Sequence, residues 1–238
     1  MCSLEKRGNL FFLTLTGDDQ HRLGPPLISS ILSTLSKISS EATPGSVLIT
    51  TAHGKYLSTG FDLSYARSAP SPSEALDRLT SMVESLRPVA AAFMSLPMPT
   101  IVAVTGHAAA GGFMIPICHD YILMRSDHGV LLMPEMDLAL PLPDYFATVM
   151  RERIRSPAAL REMVLRGAKV TGEEGVKMGI VDSVYDSTEK TTEAAVRLGE
   201  ELARRKWNGD VYAEIRKSLY PESCRALGLT QKDLPSKI

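Results

Sequence analysis

Two glycine-framed segments, Gly54-Lys-Tyr-Leu-Ser-Thr-Gly-Phe-Asp-Leu63 and Gly106-His-Ala-Ala-Ala-Gly-Gly112, constrain the fold of this chain more than any other feature. Each is entered from a short apolar run, Val47-Leu-Ile-Thr-Thr51 in one case and Thr100-Ile-Val-Ala-Val104 in the other. Each reads as a β-strand running into a tight turn, where glycine permits φ > 0 or a close approach of the backbone to another group. Taken singly, such a turn is an ordinary strand-to-helix connection. Two of them side by side aim two free N–H groups at one oxygen, which is how an oxyanion hole is made. Neither is a nucleotide-type phosphate loop, because no Lys-Ser/Thr follows Gly112 and there is no GxGxxG.

The rest of the chain supplies strands and helices in alternation. Leu10-Phe-Phe-Leu-Thr-Leu-Thr16 has the β-rich character of a first strand, and Leu27 to Ile38 carries a helical apolar stripe. Ser68-Ala-Pro-Ser-Pro-Ser73 reads as a loop whose Ser73, with Glu74, caps an amphipathic helix through Leu76, Leu79, Val83, Leu86 and Ala90. Phe113 to Cys118 reads as a short buried helix opened by the second glycine pair, and Tyr121–Met124 and Val130–Met133 as buried strands. From about Pro141 onward the chain reads as mostly helical. Arg197 to Trp207 is charged and amphipathic, either a solvated face or a subunit contact. No linker or internal repeat interrupts the 238 residues, so the expectation is an α/β fold in one domain with a helical C-terminal part.

Composition excludes several classes of function. A formal net charge of −1 gives no global attraction to nucleic acid or to an anionic membrane. The three cysteines, Cys2, Cys118 and Cys224, are far apart and without CxxC spacing, so neither a disulfide framework nor a zinc site is expected. His21, His53, His107, His119 and His128 lack HxxxH or HExxH spacing, and no GxSxG elbow is present. No apolar run approaches the roughly 18 residues that span a bilayer. Ser236-Lys237-Ile238 follows the small–basic–aliphatic pattern of a peroxisomal address, with Ile in place of Leu; a chance tripeptide on a polar tail reads the same way.

Gly54-x-x-x-Ser58-x-Gly60-Phe61-Asp62-Leu63 resembles the first signature of the crotonase, or enoyl-CoA hydratase/isomerase, superfamily. Gly106-x-Ala108-x-Ala110-Gly111-Gly112 followed by Asp120 resembles the second, and Pro134-Glu135 falls where that family carries a catalytic glutamate. Val164 to Asp182 is similar to the family's stretch after the core, so the resemblance covers roughly residues 8 to 205. Within the family, the chain resembles in particular the short plant-type peroxisomal Δ3,Δ2-enoyl-CoA isomerases. The resemblance implies a crotonase-like spiral of ββα units over residues 1–185, a C-terminal helical region over 186–238, and assembly as a homotrimer or hexamer. It also implies that the backbone N–H groups of Phe61 and Gly111 hold the thioester oxygen of a fatty enoyl-CoA, with Ser58, Thr59, Gly60, Asp62 and Met114 bordering the substrate.

Two positions refine what the resemblance implies. Hydratases of the family carry a second glutamate three residues after the oxyanion glycine, where this chain has Met114. Water addition needs both a base and an acid, whereas isomerisation needs one carboxylate that removes a proton from C2 and returns it at C4. Glu135 is the candidate for that shuttle, and its apolar surroundings, Leu131-Leu-Met-Pro134 before it and Met136, Leu138, Ala139 and Leu140 after it, predict burial and a raised pKa. The plainer reading of Glu135 is a carboxylate at a helix start after Pro134. Asp144, nine residues on, is either a second acid, the main acid, or the cap of a helix beginning near Tyr145. Met82, Met94, Met98, Met114, Met133 and Met136 either line an acyl tunnel or fill core.

The expected activity is therefore isomerisation of a 3-enoyl-CoA to its 2-trans isomer in the peroxisome. No metal or redox cofactor is expected, CoA being part of the substrate, and the tail would engage the peroxisomal import receptor. Two alternatives stay open: another acyl-CoA reaction on the same scaffold (dienoyl isomerisation, thioester hydrolysis, decarboxylation), or non-catalytic acyl-CoA binding.

Overall fold

A computed structural model describes residues 1–231 of the protein. The tail tripeptide Ser236-Lys237-Ile238 lies outside the described residues. The chain opens with an antiparallel hairpin of β1 (Cys2–Arg7) and β2 (Leu10–Leu15), turned at Gly8 with φ +59°. β1 carries no apolar run because it is an edge strand; Cys2 and Leu4 pack on the core while Glu5, Lys6 and Arg7 face solvent. Next in the chain are α1 (Pro25–Ser40), β3 (Val47–Ala52), β4 (Tyr56–Ser58), α2 (Leu63–Arg67) and α3 (Pro72–Ser95). Then come β5 (Thr100–Val104), β6 (His107–Ala109), a 3-10 turn over Ala110–Phe113, α4 (Met114–Ile117), β7 (Tyr121–Arg125) and β8 (Leu131–Leu132). The remainder is α5 (Asp144–Arg153), α6 (Pro157–Leu160) continued by a π-helical turn over Arg161–Leu165, α7 (Gly172–Lys177), β9 (Ser183–Tyr185), α8 (Thr188–Ala203), α9 (Gly209–Leu219) and α10 (Pro221–Ala226).

The larger sheet runs β1-β2-β3-β5-β7-β9 and is parallel from β2 onward. Parallel sheets are covered on both faces, and side chains alternate between the two. Phe11, Leu13, Leu48, Val102 and Ile122 join the core shared with α1 and α3. Their neighbours Leu10, Phe12, Ile49, Ile101 and Leu123 pack instead on Ala194, Ala195, Leu202 and Ala203 of α8. The Arg197–Trp207 stretch thus lies partly within α8, whose Gly199, Leu202 and Ala203 are buried.

A second, three-stranded parallel sheet has the order β4-β6-β8. β4 and β6 are built inside the segments that read as turns, because strands of three residues are too short to show a period of two, whereas β8 lies within the expected strand Val130–Met133. The sheet's register sets Ser58 beside Ala108, Ala108 beside Leu131 and Ala109 beside Leu132. The glycines of the first turn take positive φ, +81° at Gly54 and +91° at Gly60. Those of the second turn serve close approach. A Cβ on Gly106 would lie 2.2 Å from the Lys55 carbonyl oxygen, and one on Gly112 would lie 2.5 Å from that of Ser58. The positive φ of the second turn falls on Ala110, at +49°.

Two local expectations are corrected. Ser71, not Ser73, caps α3 by accepting the Glu74 N–H, which leaves Pro72 at the first helical position. The helical segment after the second turn begins at Ala110, not Phe113, as a 3-10 turn that continues into α4.

The C-terminal helices are tied to the spiral by a buried ion pair. Arg216 of α9, 3 % exposed, donates to both oxygens of Asp120 at 2.7 and 2.6 Å and to the carbonyls of Leu96 and Met98. Burial alone would raise the Asp120 carboxyl, but the Arg216 guanidinium outweighs it and holds the carboxyl below its ordinary value.

The interlock of the two turns is tested by adding single methyl groups. Gly112→Ala is expected to destabilise the protein by about 3 kcal/mol. Gly24→Ala, where a new Cβ would meet nothing nearer than 3.4 Å, is expected to cost about 1 kcal/mol or less. Urea unfolding midpoints of the two variants check the contrast.

Candidate active site

The three strands of the small sheet are parallel, so their C-terminal ends emerge together. From β4 the chain continues as Thr59-Gly60-Phe61, from β6 as Ala110-Gly111-Gly112, and from β8 as Met133-Pro134-Glu135. Extending the register sets Gly60 and Phe61 alongside Ala110 and Gly111. The contact is direct, since a Cβ built on Gly60 would lie 3.0 Å from the Ala109 carbonyl oxygen and 3.3 Å from the Gly111 nitrogen.

The hydrogen bonds around Phe61 are nearly all committed. Thr59 N–H donates to the Gln20 carbonyl, Gly60 N–H to Ser58 Oγ and Asp62 N–H to the Leu23 carbonyl, while the Gly60 carbonyl accepts from Leu23 N–H. Ser58 is fully buried and its hydroxyl donates to the His21 carbonyl at 2.7 Å, so it braces the turn. Asp62 caps α2 by accepting the Tyr65 N–H. Across the gap, the Gly111 carbonyl accepts the Met114 N–H. Among the described residues, the N–H groups of Phe61 and Gly111 donate no hydrogen bond. Two backbone donors therefore stand open on adjoining turns, at the common end of the small sheet.

Glu135 leaves β8 at this end in a chain reversal in which Leu138 N–H bonds the Pro134 carbonyl and Leu140 N–H bonds the Glu135 carbonyl. It does not begin a helix. It is 9 % exposed, and its Oε2 is buried without a partner. A carboxylate deprived of water favours its neutral form, and burial raises the Glu135 pKa against a weaker opposing backbone hydrogen bond. A buried carboxyl with one oxygen free is a group poised to exchange a proton with a ligand.

Asp144 is placed differently. It is the exposed first residue of α5, one position inside the helix after the cap residue Pro143. Two residues on, the Phe146 ring stacks on Phe61 at 6.3 Å, and Tyr145 meets Phe146 edge-on at 4.8 Å while its hydroxyl donates to the Val83 carbonyl. The Phe61 ring in turn lies against Gly111, 3.0 Å from where a Cβ would be. α5 thus sets an aromatic cluster against the Phe61 ring, which itself packs on Gly111. Neither Tyr145 nor Phe146 stands out in the sequence, because Phe61 lies more than 80 residues upstream.

Met114 is buried as the first residue of α4, and Met82, Met94, Met98 and Met133 are buried core residues, whereas Met136 is 62 % exposed. Met82 also lines a cleft of about 470 Å³ between α1, α2 and α3, together with Pro25, Ile28, Leu32, Tyr65 and Arg78. His107 makes ring contacts with Tyr56 and His128. Among the described residues, no group of three or more His, Cys, Asp or Glu is arranged to hold a metal.

The burial of Glu135 has a thermodynamic sign. An unfolded glutamate ionises near 4.5, while the folded one holds its proton to higher pH, so ionisation at neutral pH opposes folding. Glu135→Gln is expected to raise the thermal midpoint at pH 7.5, with the advantage shrinking as pH falls toward 4.5. Scanning calorimetry at the two pH values checks it.

Comparison with known proteins gives concordant results. Residues 18–227 match the enoyl-CoA hydratase/isomerase family. The chain is 57 % identical over 230 residues to an Arabidopsis thaliana protein named enoyl-CoA delta isomerase 2, peroxisomal, with 96 % of each chain covered. It is 56 % identical over 235 residues to enoyl-CoA delta isomerase 3 of the same plant, with 98 % of each covered. Among solved structures, two of one Mycobacterium tuberculosis protein, described in one as a probable enoyl-CoA hydratase and in the other as an enoyl-CoA isomerase, superimpose with a TM-score of 0.84 at 19 % identity, covering 95 % of this chain and 91 % and 94 % of theirs.

Proposed function

The chain belongs to the enoyl-CoA hydratase/isomerase family, and from that premise we propose that it is an enoyl-CoA delta isomerase, moving a 3-cis or 3-trans double bond of a fatty acyl-CoA to the 2-trans position. Its fold is the crotonase fold of solved enoyl-CoA hydratases. One observation carries the mechanism: two unpartnered backbone N–H groups and one buried carboxyl oxygen without a partner belong to segments leaving the same end of one small sheet.

In this mechanism the thioester oxygen accepts hydrogen bonds from Phe61 and Gly111. Loss of a proton from C2 puts negative charge on that oxygen as a dienolate, and pre-aimed donors stabilise it without reorganising. Each is worth about 3–4 kcal/mol of barrier. Glu135 takes the C2 proton and returns it at C4, so one carboxyl serves both steps. Its raised pKa suits both, since the protonated form has to persist until the dienolate accepts at C4. Hydration would need a second acid or base, and the buried, apolar Met114 supplies none. Ser58 and Gly60 hold the first turn, and Asp62 fixes the helix behind it. The proton shuttle and the hole call on no metal or redox cofactor, and CoA arrives with the substrate.

A peroxisomal setting is supported by two Arabidopsis relatives whose names carry that location. Recognition of Ser236-Lys237-Ile238 by the peroxisomal import receptor, and assembly as a homotrimer or hexamer, belong to the same reading.

Glu135→Gln is expected to lower kcat on a 3-enoyl-CoA by about 10³-fold with little change in KM, while Asp144→Asn stays near wild type. The 2-enoyl-CoA product, followed by absorbance, reports the rate. Near wild-type turnover by Glu135→Gln would remove it from the mechanism and promote Asp144.

A further inference from the structure

The 3-10 turn and α4 form one short helical stretch, residues 110–117, with Gly111 in its first turn. Immediately beyond its other end is His119, fully buried, in a polar contact that the mechanism above does not use. The His119 Nδ1 lies 2.8 Å from the Ile115 carbonyl oxygen and its Nε2 lies 2.8 Å from Thr50 Oγ1. A carbonyl only accepts, so Nδ1 carries the hydrogen; Nε2 then accepts, and the Thr50 hydroxyl donates. Thr50 is a fully buried residue of β3, central in the large sheet and paired with Leu13 and Val102. The imidazole also packs on Phe93 of α3 at 4.6 Å, and Arg153 of α5 donates to the carbonyls of Ile117 and His119.

We infer that His119 is a positioning residue for the oxyanion hole: bridging Thr50 and the Ile115 carbonyl, it fixes residues 110–117 against the large sheet and so sets where the Gly111 N–H points. The inference rests on the reading that this N–H holds the thioester oxygen. An apolar side chain would fill the same volume without two polar atoms to satisfy, and it would leave the helical stretch free to tilt on a smooth core. The paired hydrogen bonds define one orientation. Hole geometry is demanding, because a donor displaced by a fraction of an ångström loses much of its effect on the transition state. Burial pushes the His119 pKa down to about 4, so the imidazole stays neutral and the bridge keeps its polarity at neutral pH.

Thr50→Val tests this by removing one hydroxyl while keeping the shape of the side chain. A saturated acyl-CoA labelled with ¹³C at the thioester carbonyl serves as the probe, and infrared difference spectra report hydrogen bonding to that oxygen. On wild-type protein the carbonyl band is expected to move to lower frequency. On Thr50→Val the movement is expected to be smaller, and kcat on a 3-enoyl-CoA to fall about tenfold with KM within about twofold, circular dichroism showing a folded protein at the assay temperature. His119→Asn, which keeps a donor near Nδ1, is expected to retain more kcat than His119→Ala. A folded Thr50→Val with the full carbonyl shift and wild-type kcat would overturn the inference. A wild-type protein that binds the probe with no carbonyl shift would instead remove the thioester-hole reading, and this inference with it.

Discussion

Contact between two turns at backbone distance is the constraint on which the rest of the site depends. Gly112 lies so close to the Ser58 carbonyl, and Gly106 to that of Lys55, that no side chain fits at either position. The contact holds β4 and β6 in register and keeps the Phe61 and Gly111 N–H groups on adjoining turns. It also explains why the second turn is rich in small residues although its positive φ falls on Ala110. Such a turn is strained for a residue with a Cβ, and it persists because the surrounding sheet over-determines it.

The same packing decides the state of the acid. Glu135 follows β8, the strand paired beside β6, and its segment reverses on itself with the carboxyl buried. Burying that group opposes folding at neutral pH, and burial of the large apolar core offsets it. A protein selected for stability alone would place an apolar residue there. The unpartnered oxygen is what a proton shuttle needs and what a structural carboxylate would avoid.

Legibility in the sequence depends on length and locality. Long periodic elements are plain: α1 through Leu27, Ile31, Leu35 and Ile38, and the parallel strands β3 and β5 as continuous apolar runs. Glu135 draws notice because its apolar neighbours are contiguous in the chain. Two strands of the small sheet are hidden, because β4 and β6 are three residues long inside the glycine turns and have no period to display, while β8 falls in the legible apolar run Val130–Met133. β1 is hidden because an edge strand with one wet face looks like a charged tail. The aromatic cluster of Phe61, Tyr145 and Phe146, and the Thr50–His119 bridge, are contacts between distant residues whose types carry no pairing signal. The Ser71 cap is one residue choice among several serines, decided by where Pro72 allows the helix to begin.

The central claim is that one buried carboxyl moves one proton between two carbons. It is tested most directly with a 3-enoyl-CoA deuterated at C2, the product being analysed by mass spectrometry and NMR after a single turnover in ordinary water. Because Glu135 is only 9 % exposed, its captured deuteron exchanges slowly with solvent, and the account predicts substantial deuterium at C4 of the 2-trans product. Product carrying only solvent hydrogen at C4 would contradict it and require separate groups for removal and return of the proton.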